Sequence, residues 1–302
     1  MSFVLRDKKP KQGSGNGAAI ARVRGGKDDK KYLVLKNYKK NIDDLPKDFV
    51  KTIPPEDRKD LEEALHIGLP PERIELEELY YKTLAQFSKL KQKGFVLRTG
   101  GKLEPLVKDN QVEKIYVAGI SGSGKSTYSS RYITNYLKKY RDNEFFLFSN
   151  VDSDQCLDKL DPIRVDLQNL ESNPVSDEEL TNSVCLFDDI ATIANPRVRK
   201  ITQNVLENLL EQGRHTNTSV ICCAHVIMNY SSTRRLLNEA TSVVIFPKAG
   251  SNNLNVKYLK NYGGFSDDAI EKILHLPSRW VAIYRTLHPA QYILHEKGAY
   301  LV

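Results

Sequence analysis

Apolar and polar positions follow two different periods along the chain from about residue 112 onward. Short runs rich in β-branched and aromatic residues, bounded by turn residues, are typical of buried strands, and stretches with apolar residues every three to four positions are typical of amphipathic helices. Their alternation predicts a mostly parallel sheet with helices on both faces. The predicted strands are 115–118, 144–149, 163–167, 184–187, 220–224 and 243–246, and the clearest helices are 128–140 and 197–212.

The C-terminal part, residues 256–302, contains three shorter apolar pieces, VKYLK, WVAIYR and QYILH, and one predicted helix at 266–276. We expect these pieces to extend the sheet as a small antiparallel annex. No internal repeat with a period of about 20 to 50 residues is visible, so we do not expect a repeat architecture.

The N-terminal third has a different composition. Residues 1–31 contain few bulky apolar side chains and many glycines and charges, so we interpret them as a flexible basic tail. Residues 32–110 follow as a small mixed helical region, and residues 111–302 as the α/β domain. In the middle region the predicted strands are 32–36 and 95–98, and the predicted helices are 54–66 and 70–93, the second of which begins at a Pro-Pro pair.

A complete phosphate-binding motif, GISGSGKST, follows the predicted strand at 115–118 and leads into the helix at 128–140. Its glycines permit the positive φ angles and close backbone approach with which amide groups surround phosphates. The predicted residues for binding ATP or GTP are Gly119, Ser121, Gly122, Ser123, Gly124, Lys125, Ser126 and Thr127. Within this set, Lys125 reaches the β- and γ-phosphates and the Ser126 hydroxyl binds Mg²⁺. The structural alternative is a glycine-rich turn without a ligand.

An acidic motif ends another predicted strand. Residues 183–190 read SVCLFDDI, so Asp188 and Asp189 come at the carboxyl end of a buried strand, where open α/β sheets bind their ligands. We assign Asp188 to the Mg²⁺ side of the site and Asp189 to the base that orients and deprotonates the attacking water. The structural alternative is a pair of aspartates that cap the following helix.

Two polar residues flank the predicted strand at 220–224: Arg214 precedes it and His225 ends it. A guanidinium just before this strand lies at a subunit edge in ring ATPases and neutralises charge on the neighbour's γ-phosphate, and a polar residue at the strand end senses the γ-phosphate. Arg214 and His225 are therefore candidates for arginine finger and sensor. The structural alternatives are a helix-terminal charge and a histidine bonded to backbone.

The net charge of the chain suggests a nucleic-acid partner only until it is located along the sequence, because most of it lies in the N-terminal tail and the rest of the chain is nearly balanced. The 302 residues carry a net charge of +7, of which residues 1–31, with nine basic and three acidic side chains, hold +6. A basic arm of this kind contacts nucleic acid or an acidic partner, and it is equally typical of a solvated tail.

The remaining composition limits the compartment and the metal chemistry. Four cysteines lie in or beside apolar runs without paired metal-ligand spacing, which favours reduced thiols over a structural zinc site. No run of about eighteen apolar residues and no apolar secretion signal is visible, so we expect a soluble protein of the cytoplasm, or of a virion if the source is viral, without a membrane partner.

The order of these motifs resembles the FtsK/HerA superfamily of DNA-pumping ATPases, and most of all the poxvirus-type genome-packaging ATPases of large DNA viruses. The resemblance covers roughly residues 112–247. It implies an ASCE or RecA-like P-loop NTPase fold and a ring, commonly hexameric, that hydrolyses ATP with Mg²⁺ and moves double-stranded DNA, with viral capsid proteins as further partners. Lys125 and Ser126 match the phosphate-loop lysine and metal hydroxyl, Asp188 and Asp189 the second motif, and Arg214 the arginine finger.

The chain departs from this family at His225, where a glutamine is usual, and the departure keeps a hydrogen-bonding group at the sensor position. Arg234 and Arg235, further along, face phosphates of DNA or ATP, or else form a solvated helix face. A small-molecule kinase shares the phosphate motif and would use these arginines as a lid, but it leaves Arg214 without a role. A nucleotide-locked scaffold would not need the water-activating carboxylate, Asp189. The sequence therefore favours a DNA-translocating ATPase.

Overall fold

The computed structural model describes residues 2–10, 17–36, 42–67, 70–89, 94–109, 111–229, 233–249, 252–285 and 291–301. The strands are β1 Ser2–Arg6, β2 Ala18–Arg24, β3 Tyr32–Lys36, β4 Phe95–Val96, β5 Lys102–Pro105, β6 Lys114–Ala118, β7 Glu144–Ser149, β8 Ile163–Arg164, β9 Ser183–Asp188, β10 Ser219–Ala224, β11 Ser242–Ile245, β12 Val281–Tyr284, β13 Tyr292–His295 and β14 Gly298–Leu301. The α-helices are α1 Lys47–Val50, α2 Arg58–Ile67, α3 Glu77–Lys89, α4 Lys125–Lys139, α5 Pro196–Gln212, α6 Arg234–Glu239, α7 Asn252–Asn261 and α8 Asp267–Leu274.

A ten-stranded sheet organises the molecule, in the order β4-β14-β13-β12-β11-β6-β10-β9-β7-β8. The strands from β11 to β8 in this order run parallel, and β12, β13, β14 and β4 continue the sheet as antiparallel strands at one edge. This confirms the predicted α/β class, the P-loop NTPase fold and the antiparallel annex. Strand β10 alone separates β6 from β9, and the three strands run parallel. The phosphate loop and the paired aspartates therefore lie at the same edge of the sheet, where these strands end.

Apolar cores cover both faces of this sheet, because successive side chains of a strand point to opposite faces. Tyr116 of β6 packs in one core with Phe148 and Phe187, whose rings stack at 4.3 Å between centroids. Ile115 and Val117 pack in the other core, together with the buried side of α4. Strands buried on both faces read as unbroken apolar runs, which is why the central strands are visible in the sequence.

Two elements of the predicted α/β part differ in the structure. The prediction that VKYLK belongs to the antiparallel annex is wrong, because these residues lie in α7, where Tyr258 and Leu259 are fully buried. A five-residue apolar run does not distinguish a strand from a buried helix segment. The strand predicted at 163–167 ends at Arg164, because the Asp166 carboxylate accepts a hydrogen bond from the Gln168 amide and begins a 3₁₀ turn.

Residues 1–31, interpreted above as a flexible tail, contain two strands in the structure. Strands β1 and β2 join β3 and β5 in a four-stranded antiparallel sheet of order β1-β3-β2-β5. Along β2, Ala21 and Val23 are buried and Arg22 and Arg24 are exposed. Alternation of this kind is the signature of a half-buried strand, and average composition hides it. The structure thus corrects the interpretation for the described residues of this stretch.

The small sheet packs onto the large one. Ile20, Leu33 and Leu103 belong to the same buried cluster as Val117 of β6, and the Leu103 amide donates to the Glu296 carbonyl at 2.8 Å. The mixed helical region therefore contributes β3 and β5 to this sheet, of which only β3 was predicted. The predicted helices at 54–66 and 70–93 overlap α2 and α3, and residues 90–93 lie outside the described residues. The predicted start at the Pro-Pro pair is wrong, because α3 begins at Glu77 after a 3₁₀ turn, and the strand predicted at 95–98 ends at Val96. The division of the chain at residues 31 and 110 stays a prediction.

Among the described residues, no helix has both the length and the apolar character that a bilayer span demands. Cys185, Cys222 and Cys223 are buried and Cys156 is half-buried, all as free thiols.

Candidate nucleotide-binding site

The loop after β6 has the backbone geometry of a phosphate cradle. Gly122 and Gly124 have φ angles of 74° and 110°, in the left-handed region that favours glycine. A Cβ at Gly119 would lie 2.6 Å from Ser123 Oγ and 2.8 Å from Phe246 Cδ2. Each of the three predicted glycines is thus required, two by conformation and one by close contact.

Helix α4 begins at Lys125, directly after the loop. Its N-cap is Gly124, which has no side chain to accept hydrogen bonds from the first amides of the helix. Such a terminus attracts anions through its N–H groups and its dipole. Ser126 is half-buried and Thr127 is exposed in the first turn, and Ser121 is exposed within the loop.

The Lys125 ammonium lies between the loop and the acidic motif. Its Nζ donates a hydrogen bond to the Gly119 carbonyl at 3.0 Å and lies 3.7 Å from Asp189 Oδ2. Only 8 % of the side chain is exposed. A lysine buried this far is held in place before any ligand arrives, which reduces the entropy that binding costs.

Asp189 occupies a strained position and points into the site. Its φ is 46°, in the left-handed region that residues other than glycine seldom adopt. It stands at the start of a 3₁₀ turn, yet its side chain caps nothing there. Instead Oδ2 lies 2.8 Å from His225 Nε2 and near Lys125. The geometry therefore favours a site residue over a capping aspartate, and it places His225 on a carboxylate rather than on backbone.

Asp188, the last residue of β9, is a carboxylate of altered acidity. Burial, followed by the negative charge of Asp189, raises its pKa to about 6, against the opposing charge of Lys125. Asp154 raises the same pKa further, from the segment after β7. That segment reaches α4, where the Ser130 hydroxyl donates to the Cys156 carbonyl at 3.0 Å. Asp154 was not among the predicted site residues, because it lies in a segment without a motif.

Two buried polar atoms near the loop lack hydrogen-bond partners within the part of the chain that the structure describes: Oδ1 of Asp189 and Oγ of Ser123. An unpaired buried polar atom costs about 1–3 kcal/mol, so it normally has a ligand, water or ion to bond. Carboxylate and hydroxyl oxygens are hard donors of the type that binds Mg²⁺, and Asp188, Asp189 and Ser126 supply them at this edge of the sheet. The residues present therefore fit a Mg²⁺-nucleotide.

Arg214 lies away from this site. It is exposed in the turn before β10, whereas the site lies beyond the other end of that strand, at His225. Of the arginines on α6, Arg235 pairs with Glu207 at 2.6 Å and Glu211 at 3.3 Å on α5, and Arg234 is exposed. Within one chain, the structure thus brings Lys125, Asp189 and His225 together and leaves Arg214 apart.

A cleft borders the phosphate loop on the side of the antiparallel annex. Ser123, Gly124 and Thr127 form one wall, and Trp280 and Arg279 form part of the other. Trp280 meets the Tyr128 ring edge-on at 5.2 Å between centroids. Sequence reasoning missed this wall because residues 279 and 280 are separated from the loop by about half the chain. Trp280 is also the only tryptophan, so its fluorescence reports on the cleft.

The raised pKa of Asp188 predicts a stability cost at neutral pH. The pKa of Asp188 is about 6 in the folded chain, above the ordinary aspartate value of 3.8. The free energy of unfolding therefore decreases as the pH rises from about 4 to about 6. We expect Asp188→Asn to increase the free energy of unfolding at about pH 7.5 by about 2–3 kcal/mol, and to leave it unchanged near pH 3. Urea unfolding at both pH values measures this, with Asp152→Asn, at an exposed aspartate of the segment after β7, as control. Equal free energies of unfolding of Asp188→Asn and the unchanged chain at about pH 7.5 would contradict the predicted destabilisation by the Asp188 carboxylate.

Comparison with known proteins gives one relative by sequence. The chain is 36% identical over 201 residues to uncharacterized protein V3 of Sputnik virophage, which covers 66% of this chain and 81% of the relative. The chain belongs to the V3 family. No family model matches the sequence.

Solved structures offer fold likenesses of low identity. The genome-packaging NTPase B204 of Sulfolobus turreted icosahedral virus 2, in complex with AMP, is 15% identical, with 63% of this chain and 98% of that chain covered and a TM-score of 0.42. The conjugation coupling protein TcpA of pCW3, with ATPγS, is 12% identical, with 92% and 77% covered and a TM-score of 0.45. The chain's own strand order and phosphate loop identify its fold.

Proposed function

We propose that the chain binds ATP with Mg²⁺ and hydrolyses it as one subunit of a ring that translocates double-stranded DNA. One observation carries the proposal: the phosphate loop and Asp189, which has a strained backbone and an unpaired carboxylate oxygen among the described residues, lie at one edge of the sheet with Lys125 between them. ATP hydrolysis needs both the phosphate loop and the carboxylate. The loop alone only binds the nucleotide, and a carboxylate near the γ-phosphate orients the attacking water.

The geometry supports the following roles in this proposal. Lys125, released from the Gly119 carbonyl, neutralises the β- and γ-phosphate oxygens. Ser126 and Asp188 would hold Mg²⁺, which would supply further positive charge to the phosphate oxygens. Asp189 orients the attacking water through Oδ1, the oxygen without a partner among the described residues, and takes its proton there. His225 fixes the other oxygen, Oδ2, and so positions the base.

Arg214 acts between subunits in this proposal. Because it lies at the opposite end of β10 from the site of its own chain, it meets a nucleotide only in a neighbouring copy. A homo-oligomeric ring supplies that copy, and the guanidinium then stabilises charge that develops on the γ-phosphate. The relationship to a virophage protein supports a viral setting. In that setting we infer that the motor packages a viral genome in the manner of the poxvirus-type ATPases, with capsid proteins as its partners.

One assay separates the motor from a small-molecule kinase. Phosphate release is measured with and without duplex DNA, in parallel with a panel of nucleosides offered as phosphoryl acceptors. The motor predicts phosphate release that duplex DNA stimulates and no phosphorylated nucleoside. A phosphorylated nucleoside with no effect of DNA contradicts the motor and supports the kinase.

A further inference from the structure

A strongly basic groove runs between the small sheet and helix α4 and adjoins the cleft beside the phosphate loop, with which it shares Glu104, Arg131 and Asn135. We call it the cationic groove and define it by five exposed side chains: Arg22 and Arg24 of β2, Lys30, and Arg131 and Lys138 of α4. The groove continues past Lys138 to Lys9 and Lys139. Nearly all of the chain's excess charge resides in residues 1–31, and the fold of β2 brings part of it against α4.

Two rows of cations face each other across this groove. Strand alternation directs Arg22 and Arg24 to the exposed side of β2, about 7 Å apart along the strand. Helical periodicity places Arg131 and Lys138 on one side of α4, about 10 Å apart along its axis. Thr134 and Asn135, both half-buried, line the floor between the rows. Hydroxyl and amide groups there add hydrogen-bond capacity to the charge.

Carboxylates satisfy only part of this charge. Glu104 pairs with Arg24 at 3.0 Å, and the Asp29 carboxylate accepts from the Gly25 amide at 2.7 Å. At the far end, Asp109 pairs with both Lys9 and Lys139. That leaves four cations with no carboxylate within ion-pair distance among the residues described: Arg22, Lys30, Arg131 and Lys138. Like charges held together repel, so the arrangement is stabilised by a bound polyanion.

The lining of the groove favours a duplex over a single strand. Single-stranded nucleic acid is held by aromatic side chains on which its bases stack. Among the described residues that line the groove, the one aromatic ring is that of Tyr32, and the Arg22 guanidinium lies over it at 5.6 Å from the centroid. Rows of cations with small polar groups between them instead match a regular phosphate backbone, which spaces its charges by about 3.4 Å along each strand.

We propose that the cationic groove binds the phosphate backbone of duplex DNA independently of sequence. The proposal rests on the proposed function, since it names the surface with which the motor grips its polymer. Helix α4 joins the two sites: it begins in the phosphate loop at Lys125 and carries Arg131 and Lys138 into the groove. A single rigid helix thus spans from nucleotide to DNA.

The test compares two triple variants of the full chain. The groove variant is Arg22→Gln, Lys30→Gln and Lys138→Gln, and the control is Lys59→Gln, Lys200→Gln and Lys272→Gln, which removes the same charge from exposed positions on α2, α5 and α8. Anisotropy of a labelled duplex gives the affinity at several salt concentrations. We expect at least about tenfold weaker binding for the groove variant, with a salt slope shallower by about 2–3, and little change for the control.

Thermal unfolding of each variant checks folding, and Lys138→Glu alone repeats the test without touching β2. Equal duplex affinity of the groove and control variants overturns the proposal. The proposal is also overturned if the unchanged chain binds single strands, duplex RNA or polyglutamate more tightly than duplex DNA through the groove. Phosphate release without DNA is measured separately: its absence from the unchanged chain contradicts the proposed hydrolase, whereas the groove is judged by the two triple variants alone.

Discussion

Lys125→Ala is expected to lower the rate of phosphate release by about a thousandfold or more. The nearly buried ammonium is held between the Gly119 carbonyl and the Asp189 carboxylate, which is the position from which it reaches the β- and γ-phosphates. Removing it also leaves Asp189 with only His225 as a close basic partner among the described residues. Single-turnover phosphate release at saturating Mg²⁺-ATP measures the loss.

Lys272→Ala, on the exposed side of α8, is the matched control and keeps full activity. Lys125→Arg sharpens the test, because it keeps the charge but brings a larger, planar head group into the confined position. We expect it to be nearly as slow as the alanine variant. Normal phosphate release by Lys125→Ala would remove the phosphate loop from the catalytic site.

Arg214→Ala is expected to lower phosphate release by about 10³- to 10⁵-fold and to leave nucleotide affinity unchanged. The exposed guanidinium lies at the far end of β10 from its own chain's site, so it contributes nothing to binding within the chain. Its effect appears only where a neighbour's γ-phosphate develops charge. Arg197→Ala, an exposed arginine at the start of α5, serves as control.

Mixing the two inactive variants tests the arrangement between subunits. In a co-expressed mixture, an Arg214→Ala subunit still has an intact phosphate loop, and an adjoining Lys125→Ala subunit still offers an intact Arg214. Such an interface contains every required group, so partial recovery of phosphate release is expected. Normal hydrolysis by Arg214→Ala alone, or no recovery in mixtures that contain both chains in one oligomer, contradicts the arginine finger.

The central fold was predictable because its signals are local. Strand β6, the phosphate loop and α4 are contiguous, and β9 with its two aspartates is a single buried run. Strands buried on both faces need little context to be recognised. The positions of Asp189 and Lys125 followed as well, because the carboxyl ends of parallel strands meet at one edge of a sheet.

The remaining features depend on contacts between distant segments. Nothing near His225 indicates that its ring bonds Asp189, and nothing near Trp280 places it beside the phosphate loop. Strand β2 was hidden because its charged, exposed positions dominated the average composition, although Ala21 and Val23 pack against the large sheet. The VKYLK segment was misassigned because a short apolar run fits both periods until tertiary packing decides.

The most direct test of the account is retention of labelled ATP by the full chain in equilibrium dialysis with Mg²⁺. Fluorescence of Trp280, which shares a cleft with Ser123, Gly124 and Thr127, follows the same titration. The account predicts saturable binding of one ATP per chain, a matching fluorescence change and displacement by unlabelled ATP. No saturable retention by folded protein in magnesium buffer would contradict the nucleotide site and everything built on it.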